Sequence, residues 1–176
     1  MDLWYVPSSI GYVLHILDVF QRWSEAWLFY ERPNGKEVAD AAEKIWFRRW
    51  GNVGKTITDS GGEFESEAFY HLCTRWGSEY ETVASKAHWS AGTIERHNQL
   101  LGVAWARMIR LRPQASPDEL LECCVAVKTD SPTVNGFSPY QNLHGFARRL
   151  PGIMTADLGS LYANVEDSRL DFMFLA

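Results

Sequence analysis

The sequence predicts one α/β domain, a mixed β-sheet flanked by helices, followed by a tail. The first observation is the order of its segments, β-β-β-α-β-α-β-α-α, in which short strand-like runs alternate with stretches of helical periodicity. The second is size, because 176 residues with 46% hydrophobic content suffice for one buried core. The third is that charges interrupt every apolar stretch, so no membrane-spanning segment is predicted.

Three strands open the chain. Residues 2–7 form a short strand, and residues 10–20 form a second one that is rich in β-branched and aromatic side chains. Residues 26–30 form a third strand, which ends at a Pro-Asn-Gly turn. Because the connections between them are short, these strands are expected to form an antiparallel meander.

Helical spacing first occurs after the third strand. The apolar residues at this spacing are Val38, Ala41, Ala42, Ile45 and Trp46. We expect this helix to end at Gly51. Residues 55–58 form a fourth strand that ends at Asp59. A right-handed helical crossover would make it parallel to the first strand, so that their carboxyl-terminal ends are neighbours.

The remaining core consists of helices and one strand. A helix that includes Phe64 and Trp76 follows a Gly-Gly turn, and residues 80–84 form the fifth strand. A long amphipathic helix is predicted from about residue 93 to residue 111, before Pro113. The next helix begins at the capping box formed by Ser116 and Glu119 and ends near residue 128. We expect a core over residues 1–112, a helical extension over 113–152 and an acidic tail over 153–176.

Charge and cysteine content narrow the functional class. The net charge of −5 argues against DNA binding by the whole surface. Residues 85–112, however, contain five basic residues and a single acid, which is typical of a local polyanion contact or of a solvated helix face. Cys73, Cys123 and Cys124 fit neither a disulfide framework nor a zinc spacing, and therefore predict free thiols in a reducing compartment.

Three acids occupy positions from which they can converge. Asp2 lies on the first strand, Asp59 closes the fourth, and Glu95 lies at the start of the long helix. Clustered carboxylates are the ligands that a pair of hard divalent cations requires. Taken singly, each of these acids is more often a solvated or helix-capping residue.

Two motifs resemble segments of retroviral and LTR-retrotransposon integrases. Thr58-Asp59-Ser60-Gly61-Gly62-Glu63-Phe64 is similar to their T-D-N-G-x-E-F segment, and Gly92-Thr93-Ile94-Glu95-Arg96-His97-Asn98 to their G-x-x-E-R-x-N segment. Between Asp59 and Glu95 lie 35 residues, the spacing of the D,D-35-E signature of that family. Residues 135–152 resemble the G-x-S-P segment that follows the core, so the resemblance spans residues 2–152.

The resemblance implies a ribonuclease-H-like fold, with a five-stranded mixed sheet in the order 3-2-1-4-5. It also implies a metal-dependent polynucleotidyl transferase and endonuclease, which processes the 3′ ends of element DNA and joins them to target DNA. Asp2, Asp59 and Glu95 would be both the catalytic residues and the ligands of Mg²⁺, with Mn²⁺ as a possible substitute. Asp18 is the less favoured candidate for the first aspartate, because its segment resembles a noncatalytic D-x-F-S-R segment of the family.

DNA contacts are expected close to these acids. Lys86, Arg96 and Arg107 are candidates for phosphate contacts. Asn98 and Gln99 follow Glu95 by three and four residues and therefore lie on nearly the same helix face, where they could orient DNA or hydrogen-bond to neighbouring carboxylates. The resemblance further implies a homo-oligomer, a dimer or larger, that acts in the nucleus after a cytoplasmic stage.

Two alternatives remain open. The chain could be a catalytically silent, truncated or domesticated integrase-derived module that binds nucleic acid or dimerises, because Asp2 directly follows Met1, the net charge is acidic, and the zinc-binding and C-terminal modules of full-length relatives have no counterpart. It could instead be a ribonuclease H, which requires a fourth acid. Glu37, Asp40 and Glu43 are available on the first helix but match no such motif.

Overall fold

A computed structural model describes residues 1–6, 10–83, 88–132 and 136–148, with the backbone alone for 88–91. The predicted acidic tail and Lys86 lie outside these ranges. The described residues divide into two compact units, one within residues 1–19 and 24–128, the other made of residues 20–23 and the described residues between 129 and 148. The expected boundaries at 112 and 152 stay predictions.

The first three strands form the predicted antiparallel meander. They are β1 (Asp2–Tyr5), β2 (Tyr12–Leu17) and β3 (Ser24–Phe29), hydrogen-bonded in the order β1-β2-β3. The second strand is shorter at both ends than expected. Gly11 turns the chain before it, with a φ of 152° and its carbonyl bonded to the Val6 amide at 3.0 Å.

The fourth and fifth strands form a parallel pair. β4 (Lys55–Asp59) and β5 (Glu79–Val83) pair in register, with Thr56 opposite Tyr80. The described strands therefore make a three-stranded and a two-stranded sheet, so the predicted order is found only within each sheet. The amino group of Met1 donates a hydrogen bond to the carbonyl of Ile57 at 2.6 Å, next to the expected junction of β1 and β4.

The helix after β3 ends at the signal expected from the sequence and begins at a capping box that was not predicted. Asn34 and Glu37 form a capping box at the start of α1 (Gly35–Ala42). The helix continues through a π-helical turn (Glu43–Phe47), which the apolar spacing did not indicate, into α2 (Arg48–Trp50). It ends at Gly51, whose φ of 79° favours glycine.

The described residues contain four further helices: α3 (Glu67–Trp76), α4 (His88–Leu111), α5 (Pro117–Asp130) and α6 (Pro139–His144). The predicted start of α3 was too early, because Phe64 lies in the preceding turn and packs edge-on against Phe69 at 5.2 Å. The Ser116–Glu119 capping box of α5 is confirmed. Within the described residues, no helix is sufficiently long and apolar to cross a bilayer.

Helices α4 and α5 pack on one face of the three-stranded sheet. Alternate strand residues point to the same side of a sheet, so Val13 faces α4 and α5 whereas Leu14 faces away from them. The buried residues of this layer are Val6, Val13, Leu28, Leu101, Trp105, Leu120, Leu121 and Cys124. Helix α1 contacts β2, and the π-helical turn contacts β3.

Candidate active site

Asp2 is the first residue of β1 and lies opposite His15 of β2. Its side chain shares the face of the sheet on which α4 packs. Burial raises the pKa of Asp2, and the nearby carboxylate of Asp59 raises it further, while the Met1 amino group and the Asn98 amide act in the opposite direction. Asp2 and Asp59 thus lie close enough for their charges to repel each other.

Asp59 ends β4 and enters a tight turn. The amides of Phe64 and Glu65 donate to the carbonyl of Gly61 at 2.9 and 3.1 Å. A Cβ atom at Gly61 would lie 3.3 Å from Oδ1 of Asp59, so glycine lets the turn pass close to this carboxylate. The turn that the T-D-S-G-G-E-F segment makes therefore leaves the Asp59 carboxylate exposed at the end of the strand.

The direction of Asp59 follows from its neighbours in β4. Thr56 bonds Ser78 at 2.7 Å and Thr58 bonds the hydroxyl of Tyr80 at 3.2 Å, and Tyr80 packs against Phe69 of α3. Because side chains alternate along a strand, Asp59 points away from the α3 face.

Glu95 is an exposed residue of α4. It lines a surface depression of about 480 Å³. The depression is lined by Gly92, Glu95, Arg96, Gln99, Leu100 and Val103. Asn98 lies three residues further along the helix, so its side chain neighbours that of Glu95. The amide Nδ2 of Asn98 donates a hydrogen bond to Oδ2 of Asp2, which ties this turn of α4 to β1.

Of the three predicted acids, Asp2 and Asp59 are the two that interact directly, through their charges, and Glu95 is linked to Asp2 through Asn98, which lies on the same helical turn. In the described part of the chain, no three acidic, histidine or cysteine side chains are grouped closely enough to hold a metal ion. The carboxylates of Asp2 and Asp59 are oxygen donors of the kind that Mg²⁺ prefers, so the pair by itself suits such an ion.

The DNA-contact candidates lie in different environments. Arg96, Gln99 and Arg107 are exposed on α4, the first two beside Glu95. Asn98 is buried, and its amide contacts protein groups. Lys86 lies outside the described residues.

Behind Asp2 lies a chain of buried polar groups. Nδ1 of His15 is 2.5 Å from Oδ1 of Asn98, and its Nε2 is 3.0 Å from the hydroxyl of Ser24. The ammonium of Lys128, only 8% exposed, donates to the same hydroxyl. Burial and the Lys128 charge lower the pKa of His15 to about 3, so its ring is neutral at physiological pH.

Sequence reasoning did not identify His15, Ser24 and Lys128. The sequence contained one signal for His15. This residue lies two residues after Val13 in β2, so both side chains point to the same, buried face of the strand. A histidine at such a position must find hydrogen-bond partners inside the core. Which residues supply them depends on the packing of elements distant in sequence.

No protein-family model matches the chain. Among curated proteins, the chain is similar to the Gag-Pol polyprotein of Walleye dermal sarcoma virus, at 25% identity over 155 residues. These residues are 86% of this chain and 8% of the polyprotein, so the chain spans a small part of that relative.

Solved structures give the comparison of folds. A chain of the simian T-cell lymphotropic virus intasome matches with a TM-score of 0.71 and 20% identity, over 86% of this chain and 54% of that one. The BIV integrase catalytic core matches with a TM-score of 0.69 and 17% identity, over 82% and 92%. The HTLV-2 integrase catalytic core in complex with magnesium matches with a TM-score of 0.65 and 16% identity, over 80% and 92%. The resemblance that the motifs indicated is thus confirmed, and this chain has the α/β fold of a retroviral integrase catalytic core.

Proposed function

We propose that the chain is an integrase catalytic core that performs divalent-metal-dependent phosphoryl transfer on DNA, both 3′-end processing and strand transfer. The observation that carries the proposal is the hydrogen bond from Asn98 to Asp2, which joins β1 to the helical turn that contains Glu95. In addition, the negative charge of Asp59, at the end of β4, raises the pKa of Asp2. The D,D-35-E spacing supports Asp59 and Glu95, and the resemblance to integrases supports Asp2.

Asp2, Asp59 and Glu95 would hold the cations. The repulsion between Asp2 and Asp59 supports this role, because two neighbouring carboxylates are stabilised by a bound cation. When bound, magnesium or manganese ions supply charge stabilisation at the reacting phosphate and activation of its attacking oxygen.

Other residues would hold the DNA against this acidic pair. Arg96 and Arg107 offer exposed guanidinium groups on the helix that carries Glu95, and Gln99 offers an amide beside it. Such groups bind phosphates and fix the position of a DNA strand without reading its sequence. Lys86 precedes this helix in the sequence and is proposed to act in the same way.

The arrangement beyond the site is also part of the proposal. We propose that β1 and β4 pair to complete the order 3-2-1-4-5, next to the bond between Met1 and Ile57. The resemblance to integrases supports a homo-oligomer, a dimer or larger, that acts on element and target DNA in the nucleus after a cytoplasmic stage.

The proposal is tested by DNA cleavage with Mg²⁺ or Mn²⁺, on a duplex that mimics an element end and on supercoiled plasmid. Glu95→Gln and Asp59→Asn are each expected to lower the rate by at least about 100-fold, because a lost ligand removes several kcal/mol of transition-state stabilisation. The matched controls are Glu122→Gln and Asp40→Asn, which change exposed acids on α5 and α1 and are expected to retain the wild-type rate. Equal rates in Glu95→Gln and wild type would reject the assigned mechanism.

A cation titration separates this enzyme from the silent module. Magnesium that binds the native state raises the unfolding midpoint. We expect such a rise in wild type and in Asp40→Asn, and its loss in Asp59→Asn. Absence of both the rise and DNA cleavage in wild type would favour the silent module.

A further inference from the structure

We propose that His15 is a positioning residue for the phosphoryl-transfer site, which fixes the Asn98 amide and, through it, the carboxylate of Asp2. The inference deepens the proposed function and rests on it. It starts from the four hydrogen bonds that link Lys128, Ser24, His15, Asn98 and Asp2 in that order.

The direction of each bond in this chain is fixed from the Asp2 end. An ionised carboxylate only accepts hydrogen bonds, so Asn98 must present its Nδ2 group to Asp2. Its Oδ1 then faces His15 and requires a donor, so Nδ1 of His15 carries the proton. A neutral imidazole has one N–H group, which leaves Nε2 as an acceptor.

The same donor-to-acceptor direction follows when the chain of hydrogen bonds is traced from Lys128. An ammonium group has donors and no acceptor, so Lys128 donates to the Ser24 oxygen. The Ser24 hydroxyl proton is then free to be donated to Nε2 of His15. All four bonds therefore point from the buried ammonium toward the Asp2 carboxylate. Aligned bonds polarise and strengthen one another in a low-dielectric interior.

This chain of bonds draws its members from five elements of one compact unit. Asp2 lies on β1, His15 on β2, Ser24 on β3, Asn98 on α4 and Lys128 on α5. His15, Ser24 and Asn98 are each less than 10% exposed. Side chains held by packing and by satisfied hydrogen bonds position the groups they contact more narrowly than exposed side chains can. His15 is the central link, because both ring nitrogens are used.

The purely structural alternative is a core histidine that only satisfies its own polar groups. Such a histidine would need only its own bonds, to Asn98 and to Ser24. Here the same Asn98 amide also donates a hydrogen bond to Asp2. Under the structural alternative, removing the ring would cost stability and leave the cation affinity of the folded protein unchanged. Under the positioning role, cation affinity falls as well.

The first experiment is nitrogen-15 NMR of the histidine rings, which reports the tautomer without relying on activity. We expect His15 to be neutral and protonated at Nδ1 between pH 6 and 8. A ring protonated at Nε2, or a charged ring, would overturn the proposed direction of the bonds.

The second experiment is calorimetric titration of Mg²⁺ and of Mn²⁺ into His15→Phe, with His71→Phe, at an exposed position of α3, as the matched control. We expect His15→Phe to bind these ions about 10- to 100-fold more weakly, as is typical when a group behind a metal ligand is lost. We expect kcat for DNA cleavage to fall while KM for DNA is retained. His15→Gln, which offers one donor and one acceptor, should restore part of the affinity.

If His15→Phe does not fold, Ser24→Ala provides the same comparison, because it removes the donor to Nε2 and leaves the ring in place. A folded variant with wild-type affinity for both ions would overturn the positioning role alone. Wild-type protein that neither binds these ions nor cleaves DNA would instead overturn the proposed function, and the positioning role with it.

Discussion

The side-chain amide of Asn98 donates a hydrogen bond to the carboxylate of Asp2, 96 residues earlier in the chain. The oxygen of the same amide accepts a hydrogen bond from His15, so both the nitrogen and the oxygen of this amide are bonded to protein groups. The sequence left two roles open for Asn98, orienting DNA or hydrogen bonding to a neighbouring carboxylate. In the structure its side chain makes the hydrogen bond to a carboxylate.

Asn98→Leu keeps the volume of this side chain and removes both bonds. We expect Mg²⁺ affinity to fall about 10- to 100-fold. We also expect a loss of stability of about 1–3 kcal/mol, because a buried ring N–H group is left without its partner. Magnesium titrations of the unfolding midpoint and denaturant unfolding measure the two effects. Gln99→Leu, one residue further on, should leave magnesium affinity unchanged, and an equal loss in both variants would contradict the assigned role.

Two consecutive leucines test the orientation of α4. Leu101 is 1% exposed and packs in the layer between this helix and the sheet, whereas Leu100 is 51% exposed. Leu101→Ala is expected to lower the free energy of unfolding by about 2–5 kcal/mol, because it removes buried methyl groups and leaves a cavity. Leu100→Ala should change it by less than about 0.5 kcal/mol. Urea unfolding of both variants is the measurement, and similar losses would mean that the helix presents a different face.

Local signals predicted the parts of the fold that depend on local chemistry. The capping box at Ser116 and the glycine stop at Gly51 are both confirmed, because each depends on backbone groups within a few residues. The same kind of local signal is present at α6, which lies within the predicted helical extension. Ser138 and Gln141 form its capping box, and Gly145 ends it with a φ of 78°.

Features that depend on contacts between distant parts of the chain were harder to predict from the sequence. The π-helical turn at Glu43–Phe47 keeps an apolar spacing close to that of an α-helix, so periodicity does not distinguish the two. Motif spacing predicted that Asp59 and Glu95 belong to one site, and the family resemblance added Asp2, but nothing local indicates that His15 lies behind Asp2. That relationship arises only when β2 and α4 pack.

The exposed arginines of α4 test the proposed DNA surface. Arg96→Gln and Arg107→Gln should each weaken DNA binding at low salt, because each removes a phosphate contact. The slope of log affinity against log salt should become less steep by about 0.9 for each variant. Lys36→Gln, an equal change of charge on α1, should leave the slope unchanged. Fluorescence anisotropy with a labelled duplex over a salt series measures this, and identical slopes in all four proteins would exclude α4 from the DNA contact.

Acidification tests the neutral state of His15. Burial and Lys128 lower its pKa to about 3 in the native protein, whereas an unfolded imidazole titrates near its ordinary value of 6.5. Between these values the unfolded state binds one more proton than the native state, so the free energy of unfolding falls as the pH falls. The contribution of this one group is about 1.4 kcal/mol for each pH unit below 6.5.

His15→Gln removes the titrating ring and leaves the other ionisable groups in place. The difference in unfolding free energy between wild type and His15→Gln should therefore shift in favour of the variant by about 2 kcal/mol between pH 6.5 and pH 5. Urea unfolding at half-unit intervals of pH measures this difference, and His71→Gln, at an exposed histidine, serves as the control. Parallel profiles for wild type and His15→Gln would show that the ring is charged in the native protein over this range. The bond from Ser24 to Nε2 could then not exist as described, because a charged ring has no acceptor nitrogen.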